Sequence, residues 1–210
     1  MPDFSYEDAA LARGFDVICG IDEAGRGPWA GPVVAGAVVL DRTGLPEDLI
    51  QGLDDSKKLK PARREELLER LSPHVRIGIG RADVAEIDEV NILQATMRAM
   101  ARAVDDLGGG DWAGRPALAL VDGNREPELA FEAECVVKGD SKSLSIAAAS
   151  IVAKVTRDRI VADLARTYPD YGWQRNAGYG TREHQDALAA HGVTPEHRRS
   201  YAPIKKILGL

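Results

Sequence analysis

Short apolar runs that end in acidic residues are the feature that most constrains this chain. Residues 17–21 run into Asp22-Glu23, residues 117–121 run into Asp122, and residues 135–137 are followed closely by Asp140. Each run reads as a buried strand with polar residues at its exit. Residues 33–40, rich in Val and Ala, and residues 75–80 read as two further strands, and residues 41–60 as a polar connection. Helical patterns stand between and after them. Residues 61–71 form an amphipathic helix with Pro61 at its start. Residues 84–107 carry Ile92, Met97, Met100 and Val104 on one stripe, stopped by Gly108-Gly109-Gly110. Residues 144–168 form a long helix whose small early residues, Ala147-Ala148-Ala149-Ser150, allow close packing on a sheet. Residues 181–191 form a last helix, ended by Gly192. Three strands on short links, then helix–strand alternation, predict an α/β fold with a mixed five-stranded sheet covered by helices.

The chain's 210 residues suffice for one domain with a small appendage. No apolar run approaches the ~20 residues a membrane helix needs. Residues 1–13 carry Asp3, Glu7 and Asp8 without a basic segment and apolar stretch, so no secretory signal is expected. Cys19 and Cys135 each lie in an apolar run without a partner at metal-ligand spacing, and read as reduced core residues of a cytoplasmic protein. Net charge is −6, but residues 1–137 carry −11 and residues 138–210 carry +5. A chain acidic overall can still turn a basic face to phosphates, but charge alone favours an uneven solvated surface.

The chemistry rests on Asp22, Glu23, Asp122 and Asp140. Ligand sites of open α/β sheets favour strand ends, so neighbouring strands would bring these carboxylates together. Clustered carboxylates repel and call for cations, and oxygen ligands suit Mg²⁺ or Mn²⁺. Adjacent strand residues point to opposite faces, so Asp22 and Glu23 share a site only if the chain bends, which Gly25 and Gly27 would permit. Aspartate at a strand end is also ordinary turn chemistry, and the residues alone leave both readings open. Gly25-Arg26-Gly27 with Gly31 is not a dinucleotide loop, because Pro28 and a strand follow where a helix is needed. Ser56-Lys57 and Ser141-Lys142 lack the spacing of a Ser–Lys nucleophile. His184, His191 and His197 form no metal pair and read as surface or basic-patch residues.

Eight ordered blocks resemble bacterial ribonuclease HII, the type 2 ribonuclease H. They are Gly20-Ile21-Asp22-Glu23-Ala24-Gly25-Arg26-Gly27-Pro28, Asp54-Asp55-Ser56-Lys57-Lys58-Leu59, Glu86-Ile87-Asp88 with Asn91-Ile92-Leu93-Gln94-Ala95-Thr96, Val121-Asp122-Gly123-Asn124, Lys138-Gly139-Asp140-Ser141 running into residues 146–159, Gly178-Tyr179-Gly180-Thr181, His191-Gly192, and His197-Arg198-Arg199-Ser200. The resemblance covers nearly the whole chain, from about residue 15 to 203. The resemblance implies a ribonuclease H-like core over residues 1–165 and a small C-terminal helical extension over 166–210. It implies that Asp22, Glu23, Asp122 and Asp140 bind two divalent ions, Mg²⁺ or Mn²⁺. It also implies that the backbone of Gly25-Arg26-Gly27 reads a ribose 2′-OH and that Tyr179 packs on the neighbouring sugar. Lys57, Lys154, Arg198 and Arg199 are the candidates for phosphate contact. The expected activity is hydrolysis of the RNA strand of RNA–DNA hybrids and nicking of duplex DNA 5′ of embedded ribonucleotides, by a monomer. A type 1 ribonuclease H would lack the Gly25-Arg26-Gly27 and Tyr179 blocks, and a DNA nuclease has no use for a 2′-OH reader. A catalytically weak hybrid-binding module is the rival from another class. Ala177 stands where many family members carry Lys, removing one phosphate contact.

Overall fold

The computed structural model describes residues 1–107 and 114–210; the expected stop at Gly108-Gly109-Gly110 lies outside the described residues. The apolar runs pair into one five-stranded sheet of order β3-β2-β1-β4-β5. Strands β1 (Ile18–Ala24), β2 (Val33–Leu40) and β3 (Val75–Ala82) form an antiparallel meander. Strands β4 (Leu118–Asp122) and β5 (Glu132–Val136) join β1 on its other side in parallel. This is the mixed sheet the sequence predicts, with β1 at its centre and residues 18–22 buried.

The described residues form eight α-helices: α1 (Ser5–Ala12), α2 (Glu47–Gly52), α3 (Pro61–Leu71), α4 (Val84–Asp106), α5 (Leu144–Thr167), α6 (Trp173–Asn176), α7 (Arg182–His191) and α8 (Ala202–Leu208). Helix α4 covers one face, where Ala99, Met100 and Ala103 pack with Cys19, Ile21 and Ala35. Ile92 and Met97 of the expected stripe pack half-buried on the same cluster. Helices α3 and α5 cover the opposite face, where Leu67 and Leu71 meet Val38, Ala148 and Ile151. A third cluster joins the end of α5 to the C-terminal helices through Val161, Ala165, Trp173, Leu188 and Ile204.

Glycines let both helices lie against the sheet backbone. A Cβ on Gly20 would stand 2.1 Å from the Ser145 carbonyl carbon, and one on Gly36 2.7 Å from the Ala149 oxygen. On the other face, a Cβ on Gly80 would stand 1.8 Å from the Ala99 oxygen. The small residues early in α5 thus perform the close packing expected of them.

Some elements differ from expectation. Strand β1 continues through Asp22 and Glu23 to Ala24, because its pairing with β2 persists to Ala24 opposite Val34. The turn follows at Gly25, at φ +98. Strand β5 starts at Glu132, ahead of the expected 135. The polar connection contains α2, whose Leu49 is buried in the α3–α5 cluster. Helix α4 is broken at Asn91 (φ 71), whose side chain accepts from the N–H of Leu93 and Gln94 and restarts the helix. The N-terminal helix α1 was not visible as a pattern, since its eight residues have little amphipathic contrast.

Gly80→Ala is expected to lower stability by about 1–3 kcal/mol, through overpacking against α4. Urea unfolding measures this; an unchanged midpoint would show that α4 does not press on β3 as described.

Candidate active site

Four strand-end and turn carboxylates meet at one edge of the sheet. Asp22 lies opposite Gly36, whose missing side chain faces α5, so the Asp22 carboxylate points to the α5 face. Ser150 of α5 lies beside it and lowers its pKa, and the N–H of Glu23 donates to its Oδ1 at 2.7 Å. Glu23 leaves β1 from the other face and lines a cleft of about 310 Å³ with Arg26, Met97, Met100 and Asp122. Asp122 is the last residue of β4, where the sheet ends, and both carboxylates feel its charge. Asp22 and Glu23 leave β1 on opposite faces with no bend between them, and Asp122 at the sheet's end interacts with both. Asp140 follows β5 in a 3₁₀ turn, Gly139–Ser141, tied to β4 by the Gly139 N–H donating to Asp122 Oδ1 at 2.6 Å.

The electrostatics are those of crowded, buried acids. Burial pushes the Asp22 carboxyl well above the usual carboxylate range, and the charges of Glu23 and Asp122 add to this. Burial also raises Glu23, opposed by the Arg26 guanidinium and reinforced by Asp122. Asp140 is raised by burial, then by the charges of Asp55 and Asp122. The side chain of Lys57 feels Asp22, Asp55, Asp140 and Asp122 together, and its ammonium is held above its ordinary pKa against its own desolvation. Such a set is incomplete without cations.

The donor set is all oxygen, which suits Mg²⁺ or Mn²⁺. Among the described residues no three His, Cys, Asp or Glu side chains form a ready-made metal cage. An ion held there by one or two carboxylates would need water or substrate phosphate to complete its shell.

The turn after β1 is held from below by two buried arginines. Arg198 donates to the carbonyls of Gly25, Arg26 and Gly31, and Tyr201 donates to Arg26 as well. Arg157 of α5 donates to the carbonyls of Ala30, Pro32 and Ala177. Burial and the neighbouring Arg198 push the Arg157 guanidinium down to about 10, so it remains charged at neutral pH. A Cβ on Gly25 would stand 2.0 Å from Arg157 Nε, so this turn admits only glycine there. Among the described residues no backbone hydrogen bond takes the N–H of Gly25, Arg26 or Gly27. Tyr179 is half exposed, and its ring lies 3.3 Å from where a Gly27 Cβ would be.

The sequence-based site residues therefore divide. Asp22, Glu23, Asp122, Asp140 and Lys57 share one electrostatic site, and Gly25, Arg26, Gly27 and Tyr179 lie beside it. Arg198 is fully buried, a correction to its surface role as a phosphate contact: its guanidinium is spent on backbone carbonyls. Lys154 is ion-paired with Asp158, which also binds Arg64. Arg199 is exposed, its backbone N–H held by Asp88. The C-terminal charge excess is correspondingly muted, with Arg159, Arg166, Arg175 and Arg182 also in ion pairs.

His184 and His197 correct the surface reading, since both are fully buried. His197 accepts at Nδ1 from Thr194 and meets His184 Nε2 at 2.9 Å; His184 Nδ1 donates to the Tyr179 carbonyl. Burial pushes His197 down to about 4, so the pair is neutral and holds the Tyr179 loop. Sequence reasoning also missed Asp55 and the Ser150–Ser56 hydrogen bond of 2.7 Å that ties its loop to α5. The adjacent acids at 54–55, beside the assigned Lys57, were the available signal.

A mixed sheet whose central strands end in convergent carboxylates describes a class, the enzymes that cleave phosphodiesters with oxygen-bound divalent ions. The family model for ribonuclease HII matches residues 19–204. A ribonuclease HII of Paramagnetospirillum magneticum is 58% identical over 192 residues, covering 91% of this chain and 93% of that one. One of Magnetococcus marinus is 55% identical over 212 residues, covering 99% and 95%. Among solved structures, the ribonuclease H2 of Pyrococcus horikoshii superposes with a TM-score of 0.72 at 29% identity, covering 91% of this chain and 96% of that one. The Bst ribonuclease HIII in complex with Mn²⁺ shares the fold at a TM-score of 0.72 and 18% identity, covering 99% and 81%. This chain belongs to the ribonuclease HII family. It is accordingly a hydrolase with ribonuclease H activity, cleaving RNA in RNA–DNA hybrids.

Asp22→Asn should stabilise the protein in chelator. The folded carboxyl titrates above its unfolded value of 3.8, so its contribution favours folding at low pH and is lost as pH rises through the folded pKa. The melting temperature of Asp22→Asn should therefore exceed the parent's by a margin that widens from pH 5 to pH 8. A variant less stable than the parent at pH 8 would contradict the crowding described.

Proposed function

We propose that this enzyme hydrolyses the RNA strand of hybrids and nicks duplex DNA 5′ of single embedded ribonucleotides. The observation that carries the reading is the meeting of Asp22, Glu23, Asp122 and Asp140 directly beside the arginine-held turn at Gly25. Asp22, Glu23, Asp122 and Asp140 hold two divalent ions, Mg²⁺ or Mn²⁺. When bound, such ions activate the attacking water and stabilise the leaving oxygen. Water attack leaves 3′-hydroxyl and 5′-phosphate ends.

Recognition belongs to the turn. With the carbonyls of Gly25 and Arg26 engaged by Arg198, the N–H groups of residues 25–27 are left to meet the substrate, and a 2′-OH is the group that separates RNA from DNA at one nucleotide. Tyr179, exposed beside Gly27, packs on the next sugar, where a deoxyribose offers the more apolar surface. Lys57 and Arg199 meet backbone phosphates, while Lys154 and Arg198 act as supports. We read residues 1–165 as the catalytic core and 166–210 as its helical extension, although α5 runs on to Thr167. We read the protein as a cytoplasmic monomer; among the described residues no helix is long and apolar enough to cross a membrane.

Two variants and two substrates test this. Asp122→Asn should lower cleavage of an RNA–DNA hybrid in Mg²⁺ by about a thousandfold or more, several kcal/mol of transition-state stabilisation. Tyr179→Ala should fold normally and lose the single-ribonucleotide nick more than hybrid cleavage. Full activity of Asp122→Asn would overturn the carboxylate assignment. Equal losses on both substrates would remove Tyr179 from sugar recognition.

A further inference from the structure

Helix α1 lies outside the 19–204 span of the family match, yet its Glu7 is only 2% exposed. Burying a carboxylate is costly unless it is fully used, and Glu7 is used at one place. Its Oε1 accepts from the Ser143 hydroxyl at 2.6 Å, from the Ser145 N–H at 3.0 Å and from the Ser145 hydroxyl. Ser143 is the N-cap of α5, so a negative charge sits at the start of a 24-residue helix, where it is favoured. The chain just before α1 reinforces the contact: the Asp3 N–H donates to the Lys142 carbonyl, and the Leu144 N–H donates to the Asp3 carbonyl.

Residues 142–145 are the joint between the turn carrying Asp140 and α5. The Ser143 N–H closes the turn on the Gly139 carbonyl at 2.8 Å, and Gly139 is the residue tied to Asp122. Ser145 is also the residue that α5 presses onto Gly20, two positions before Asp22. One carboxylate oxygen thus ties the Asp140 turn to the α5 contact with the strand that bears Asp22.

We propose that Glu7 is a positioning residue for divalent-ion binding, holding Asp140 in place relative to Asp22 and Asp122 through the start of α5. The proposal rests on the reading of these carboxylates as ion ligands. Only Oε1 makes these bonds, and Oε2 is buried without a hydrogen bond among the described residues. Glu7→Gln therefore keeps the acceptor, whereas Glu7→Leu removes it and Glu7→Asp withdraws it by one methylene.

The test compares these three full-length variants with the parent in two measurements: the Mg²⁺ concentration for half-maximal hybrid cleavage, and Mn²⁺ binding by calorimetry without substrate. Glu7→Leu and Glu7→Asp should each raise the Mg²⁺ requirement and weaken Mn²⁺ binding by about tenfold, the scale seen when groups orienting metal ligands are lost. Excess Mg²⁺ should restore most of the rate, and Glu7→Gln should stay close to the parent. If Glu7→Leu fails to fold, Glu7→Asp decides. A folded Leu or Asp variant with the parent's Mg²⁺ requirement and Mn²⁺ affinity, even with a lowered melting temperature, would overturn the proposal. A parent enzyme indifferent to chelator would overturn the ion reading itself.

Discussion

The site depends on how closely α5 lies on the centre of the sheet. That approach is possible because Gly20 and Gly36 present no side chain and α5 answers with Ser145 and Ala149. Every part of the site is then measured from one helix. Its start is joined to the Asp140 turn by the Ser143 N–H on the Gly139 carbonyl, Ser150 in its second turn lies beside Asp22, and Arg157 further along holds the carbonyls of Ala30 and Pro32. Parallel pairing of β4 with β1 brings Asp122 alongside. A rigid helix on a rigid sheet holds groups to the tolerance that metal-assisted chemistry requires.

Charge is segregated within a short distance. The carboxylates sit at the strand ends, where burial and mutual repulsion raise Asp22, Glu23 and Asp140. The two buried guanidiniums lie behind the Gly25 turn, with their hydrogen bonds spent on carbonyls. One half of the site therefore gathers negative charge, and in the other the carbonyls of the turn are taken up by the guanidiniums. The burial that makes Arg198 useless as a phosphate contact makes it effective as a frame for the turn.

Much of this was legible in the sequence, for reasons tied to particular residues. Residues 33–40 and 117–121 could be read as strands because they are buried on both faces and so carry unbroken apolar runs. Asp22 and Asp122 each follow a buried run, whereas Asp140 follows the partly exposed edge strand β5. Burial of long polar side chains was not legible. Arg198 and His197 stand in a string of polar residues, His197-Arg198-Arg199-Ser200, that looks solvated, and only tertiary contacts reveal that the first two are interior and the last two tethered to Asp88. Glu7 was equally silent, because its partners Ser143 and Ser145 are more than 130 residues away. Asp22 and Glu23 leave opposite faces of β1, as strand geometry requires, and Asp122, at the very end of its strand, interacts with both.

The α5–β1 contact sets the geometry of catalysis as well as stability. Gly20→Ala tests it most directly, since the added methyl would stand 2.1 Å from the Ser145 backbone and must push α5 away from β1. The measurement is the single-turnover rate of hybrid cleavage in saturating Mg²⁺, at a temperature where circular dichroism shows the variant folded. The account predicts a fall of roughly a hundredfold, the scale of an ångström-sized misplacement of catalytic groups. A folded Gly20→Ala variant that cleaves at the parent rate would contradict it.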